Sequence, residues 1–405
     1  MQLSRNAVLA LVTITLVLTS ASMTAFSLFL PFIEREFDWS RAMVTLPYTL
    51  AMVAWGISSP IFGKLADDRG ARPVILGGIV LMATGFLVMG LAQTLWQLCL
   101  AFGLLIGTAM GAASITIGSL LVAKHFDARR RAWAVSIVQS ASPLYPLLFA
   151  PLLFLLVKLF GWRTAALATS AQLWLIALPL AWFSARDPDR ARLATHRRAS
   201  WSASVPYLRN RSMVAMFVAR LSCGLAFFQT AHLVALTMSK GFDPVVGTTA
   251  LSIYGAAAVG WSLVFGWLAD RHSRARILSL SYLVRGLGTL ALATAIPNQW
   301  VLYLLVIVAI GPTFGTIGVQ NVLFYEAVGP RLAGMMLGLS FIVHQLGSSL
   351  GPQLGSIVFD LTQTYDGYQL AIGLVLLASA AITFNITDLG PRPAQPAMAA
   401  TPSSA

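Results

Sequence analysis

The chain is 405 residues long, 57% hydrophobic and only 10% charged, with a formal net charge of +13 and a mean hydropathy of +0.77. A soluble domain carries about 25% charged residues and needs far more polar surface to cover its core. These figures exclude a soluble enzyme, a nucleic-acid-binding protein and a disordered chain, and leave a polytopic membrane protein.

Twelve apolar runs follow one another at 7–31, 42–62, 73–92, 95–121, 132–160, 164–183, 212–238, 245–265, 277–296, 300–325, 333–358 and 368–387. Each suits a helix that crosses a bilayer, which needs about 20 apolar residues. They lack the two-residue alternation of a membrane barrel, so the chain reads as an all-α integral membrane protein with twelve transmembrane helices. The first run exceeds the roughly 7–15-residue apolar core of a secretion signal and reads as an uncleaved span. The longest polar stretch, Ser184 to Arg211, follows the sixth run. It divides the chain into an N-terminal six-helix bundle (1–183), a cytoplasmic linker (184–211) and a C-terminal six-helix bundle (212–390). A Pro/Ala/Ser-rich tail at 391–405 is expected to be disordered. Cys99 and Cys223 both lie within apolar runs, far apart, and suggest no disulfide or metal spacing.

The basic residues sit in short clusters between spans. With the N-terminus inside, 20 Lys and Arg face the cytoplasm and five face outward, while Arg220 and Arg285 fall within spans. The positive-inside rule then puts both termini in the cytoplasm, and a bacterial inner membrane is the expected location.

The two halves echo each other. Gly63-Lys-Leu-Ala-Asp67-Asp-Arg69-Gly70-Ala-Arg72 follows the second span, and Gly266-Trp-Leu-Ala-Asp270-Arg271-His-Ser273 follows the eighth. Phe126-Asp-Ala-Arg-Arg-Arg131 and Phe324-Tyr-Glu326 through Pro330-Arg331 form a second echo. Internal repeats of this kind mark secondary transporters. The doubled motif resembles that of the major facilitator superfamily. Three further marks resemble its monocarboxylate and oxalate/formate branch: Phe37-Asp-Trp-Ser-Arg41-Ala42, Gly161-Trp-Arg163, and Phe359-Asp-Leu-Thr362 with Tyr365. That resemblance implies two pseudo-symmetric bundles, alternating access and no cofactor. It also implies that Asp67 and Asp270, on tight cytoplasmic turns, close the inner side against Arg131 and Arg331. The branch often carries an arginine in span 8, four residues before the motif glycine; Ser262 stands there in this chain.

Ionisable groups inside a span are pointers to function. Arg220 lies some eight residues into span 7, about 12 Å deep. His232 shares a face with Gln229, and His344 lies near the middle of span 11 on a stripe with Ser340, Gly347, Ser348 and Gly351. That stripe suits a cavity wall or a close helix crossing. Arg285 falls in span 9, which the resemblance places at the periphery, so a structural role is expected for it. The neutral polar candidates are Tyr48, Gln139, Tyr145, Tyr254, Gln320 and Asn321, near the helix-loosening Pro143, Pro146 and Pro312. No Asp or Glu lies in the middle of any span. The expected cargo is therefore a small organic, monocarboxylate-like anion, with proton linkage through His344. Two other readings stay open: an exporter of neutral or amphipathic molecules, and a ligand-sensing receptor on a transporter fold. The expected functional unit is a monomer, without nucleic-acid partners, metals or enzymatic activity.

Overall fold

The computed structural model describes residues 4–184, 205–294, 296 and 298–386. The described chain is helical throughout, and eleven of its helices are long and apolar enough to cross a membrane. They are α1 (Arg5–Phe37), α2 (Arg41–Arg69), α3 (Ala71–Leu91), α4 (Leu95–Ala123), the 52-residue Trp133–Ser184, α7 (Arg211–Ala231), α8 (Pro244–Arg271), α9 (Arg274–Leu292), α10 (Gln299–Gly329), α11 (Leu332–Thr362) and α12 (Asp366–Phe384). A helix of 52 residues is about 78 Å long, more than twice the hydrocarbon core. It breaks at Gly161, whose φ of +82° is non-helical, giving α5 (133–160) and α6 (162–184). Twelve spans result, as the apolar runs predict. The predicted linker lies outside the described residues from 185 to 204, and the tail at 391–405 lies wholly outside them.

Single glycines make the sharpest of these corners. Gly161 has open space around its Cβ position, so its role is the backbone angle, which side-chain-bearing residues rarely adopt. Gly70 turns α2 into α3 in the same way, with φ +91°. The second motif copy has Ser273 at the corresponding corner and makes its turn with φ −58°, so no glycine is needed there.

The halves meet along two long seams, α2 against α11 and α5 against α8, and α1 also packs against residues 228–239. Along the first, the described contacts run from Arg41–Asp360 at the predicted outer end to an edge-on contact of Trp55 with Phe341 at 5.4 Å. Further toward the predicted inner end, Gly63 on α2 and Gly334 and Gly338 on α11 have no atom within 4 Å of a Cβ position. Along the second, Ser252 donates to the Pro143–Pro146 turn at the Pro146 carbonyl (3.3 Å), and a Cβ on Gly255 would press on the Pro143 carbonyl. Beyond it, Gly260 and Gly266 are again without neighbours.

Candidate functional site: a buried cationic cluster and an ion-pair network between the halves

Arg220 stands nine residues into α7 and Arg285 eleven residues into α9, depths of about 14 and 16 Å along helices entering from the same side. Their side chains converge. Tyr282 donates to the carbonyl of Ala219, which aligns α9 with α7. One turn on, Arg285 Nη1 lies 3.2 Å from Cys223 Sγ. Arg220 Nη1 reaches Gln320 Oε1 of α10 at 3.4 Å, while Gln320 Nε2 is anchored on the Met216 carbonyl at 2.7 Å. Both arginines are buried, at 3% and 1% exposure, and each Nε has no hydrogen-bond partner. His344 lies beside Arg220 with its ring edge-on to Phe227 (4.9 Å), and its Nδ1 is likewise unpartnered.

No described carboxylate answers these charges. In the C-terminal half, Asp243 caps α8 and Asp270 is exposed at the end of that helix. Glu326 pairs with Arg274, Asp366 pairs with Lys240, and Asp360 is held by the other half. The cluster is completed across the seam. Tyr254 of α8 is buried close to Arg285 and Thr230, and Tyr48 of α2 lies near it. The Tyr48 hydroxyl is fully buried and unpartnered.

His232 belongs to a different constellation. Its Nδ1 is 2.8 Å from the Tyr365 hydroxyl, and its Nε2 faces Ser356 (3.4 Å) and Thr45 (3.5 Å). Tyr365 also accepts from Arg41 Nη1 at 3.1 Å, and Arg41 holds Glu34 by a two-pronged ion pair with a 2.9 Å contact. The Arg41 guanidinium stacks 3.6 Å over the Phe359 ring. Asp360 accepts from the backbone N–H of both Arg41 and Ala42, each at 2.9 Å. These are donors that a helix start leaves without intrahelical partners, so a carboxylate of one half caps a helix of the other. The two stretches 37–42 and 359–365 meet here. Their partnership was missed in the sequence because Arg41 and Asp360 are 319 positions apart.

The other candidates are dispersed. Tyr145 stacks on Phe149 (5.0 Å) and lines a groove with Thr169 and Gln172 of α6, away from the arginines. Gln139 is exposed and Asn321 half-buried. Ser262 bonds the Ala258 carbonyl of its own helix at 2.7 Å. The small stripe on α11 is a close crossing: a methyl on Gly224 would strike the backbone of His344, Gly347 and Ser348, and one on Gly347 or Gly351 would strike α7. Asp67 and Asp270 lie in the last turns of α2 and α8 rather than on loops, which corrects the expectation. Both are exposed; the side chains of Arg131 and Arg331 lie outside the described set. Among the described residues no group of His, Cys, Asp and Glu could hold a metal.

Residues 12–352 match the Major Facilitator Superfamily. The chain belongs to that superfamily. Monocarboxylate transporter 13 of Rattus norvegicus is 27% identical over 369 residues, covering 90% of this chain and 84% of that protein. The multidrug resistance protein MdtG of Salmonella typhi is 24% identical over 357 residues, covering 82% and 85%. Among solved structures, a bacterial homolog of the human lysosomal transporter Spinster, in an inward-facing and occupied conformation, aligns with TM-score 0.75 at 16% identity, covering 95% of this chain and 97% of that one. Family and relatives are membrane transporters, not enzymes.

Proposed function

We propose that this chain carries a small organic anion across the membrane by alternating access, driven by a gradient. The observation behind this reading is Arg220: a permanently charged group, buried at mid-membrane, with no described carboxylate to neutralise it. Burying an unpaired charge costs several kcal/mol even after relaxation, a penalty that an anionic cargo would offset. Gln320 gives Arg220 a neutral acceptor, and the unpartnered Tyr48 hydroxyl offers a further polar group. The lysine and arginine bias supports cytoplasmic termini and a cytoplasmic linker between bundles 1–183 and 212–390, in a bacterial inner membrane. With that orientation, Arg41, Asp360, Tyr365 and His232 form the contact that holds the outer side shut. A single cysteine near position 197 should resist impermeant thiol reagents in intact cells once Cys99 and Cys223 are removed.

The test is uptake into proteoliposomes. Labelled carboxylates should accumulate, and unlabelled carboxylates should compete while their neutral amides do not. Repeating the uptake under an imposed pH difference reads the coupling ion. Transport of uncharged amphipathic compounds alone would establish the second reading, an exporter. That reading is supported by Ser262, which spends its hydroxyl on its own helix where the branch places an arginine, and by the multidrug relative.

A further inference from the structure

Arg220 is not alone in the site. Arg285 arrives from α9, a helix outside both seams, yet its guanidinium is 1% exposed and ends 3.2 Å from Cys223 Sγ. Cys223 lies one turn beyond Arg220 on the same helix, and residues three apart on a helix share a face. The two guanidinium groups therefore open onto the same mid-membrane region, with Tyr282 and His344 near both. Each keeps one buried N–H without a partner, and each partnered nitrogen has only a neutral acceptor: a thiol for Arg285 and an amide oxygen for Arg220. A thiol sulfur is a weak acceptor, and a structural role for Arg285 would call for a better one.

Resting on the anion-transport reading, we infer that the site is built for a cargo with two anionic groups, a dicarboxylate above all, with Arg220 and Arg285 each meeting one of them. Two like charges sharing a desolvated region repel each other. A monoanion relieves half of that imbalance; a dianion relieves all of it. Arginine's planar fork suits carboxylate and phosphate oxygens equally, so the shared chemistry is two anionic groups a few bonds apart. Tyr254 and Tyr48 add hydroxyl donors on the seam side, where the cargo enters.

The experiment counts charge. The full chain, purified in nanodiscs, is titrated by thermal shift with malonate, succinate and glutarate, and with the monoester and neutral diester of each. At least one dianion should bind about tenfold or more tightly than its monoester, the margin of one charge-assisted contact. Arg285→Gln should weaken that dianion at least about 30-fold, as expected when one partner of a buried charge pair is lost, and should make the monoester the better ligand. Arg285→Lys should restore part of the dianion preference, which separates lost charge from lost folding. Equal binding of monoester and dianion, or a preference that survives Arg285→Gln, would overturn the dianion site while leaving anion transport standing. Binding of the monoester alone, enhanced by chloride in the buffer, would show that an inorganic ion fills the second position, and would also overturn it. Binding of the neutral diesters alone, or of none of the probes, would remove both readings.

Discussion

The two halves of the molecule repeat one fold, yet their centres differ in kind. At mid-membrane the N-terminal half presents Tyr48, packed against Phe26 at 4.6 Å and near Phe102 at 6.5 Å, with no described charge beside it. The C-terminal half presents two arginines, a histidine, a glutamine and two further tyrosines. The buried Arg41 of the N-terminal half sits instead at the predicted outer end, locked to Glu34. Pseudo-symmetry thus fixes the helices and leaves the chemistry free. One half provides the electrostatics, the other the Tyr48 hydroxyl among aromatic rings.

The largest expected effect lies on the charged side. Arg220→Met should reduce anion uptake at least about 100-fold, because truncating one member of a buried charge pair removes about 2–5 kcal/mol. The same change should leave the ligand-free melting temperature level or raise it, since replacing a buried charge with a packed hydrophobe is often stabilising. A large fall in melting temperature with uptake intact would reverse the assignment. Next comes the latch. Asp360→Ala strips the cap from two N–H groups of α2, and charged hydrogen bonds contribute roughly 1.5–3 kcal/mol. In this variant a cysteine at Thr45 should become about tenfold more reactive to an impermeant maleimide from outside; unchanged labelling would show that the latch is idle.

The apolar side should respond less. Tyr48→Phe removes one neutral hydroxyl, a contribution of about 1 kcal/mol, so KM for the anion should rise by a factor of about five with kcat little changed. A loss as deep as that of Arg220→Met would erase the contrast between the halves. The smallest effect is expected at Asp67, which is exposed. Asp67→Asn should slow uptake about two- to threefold, in line with the modest value of charges near helix ends, with normal insertion. Uptake at the normal rate would leave the motif a topology signal only.

Most of the scaffold was legible because lipid leaves little choice: long apolar runs must be helices that satisfy their own backbone. The break between α5 and α6 was legible as the gap between the runs 132–160 and 164–183, but the positive φ of Gly161 was not, since it leaves no pattern in hydropathy. The centre was half legible. Arg220 and His344 stood out as polar groups in apolar runs, and both reached the cluster. Arg285 stood out equally but was set aside by the position of its span, a rule about helix axes that ignores how far an arginine reaches inward. Tyr145 and Gln139 show the converse limit. Where a span is apolar all round, sequence cannot tell which face meets the other half, and their side chains point elsewhere.

The crossing of α7 and α11 has a mechanical consequence. At Gly224, Gly347 and Gly351 the two backbones touch with no side chain between them, so there is nothing compressible to let one helix slide or roll against the other. They form a single lever. Arg220 rides on one arm, while Ser356 and Asp360 ride on the other. Any swing that pulls Asp360 off the start of α2 must therefore carry the Arg220 guanidinium with it, so that release of the outer end and displacement of the charged centre are one stroke.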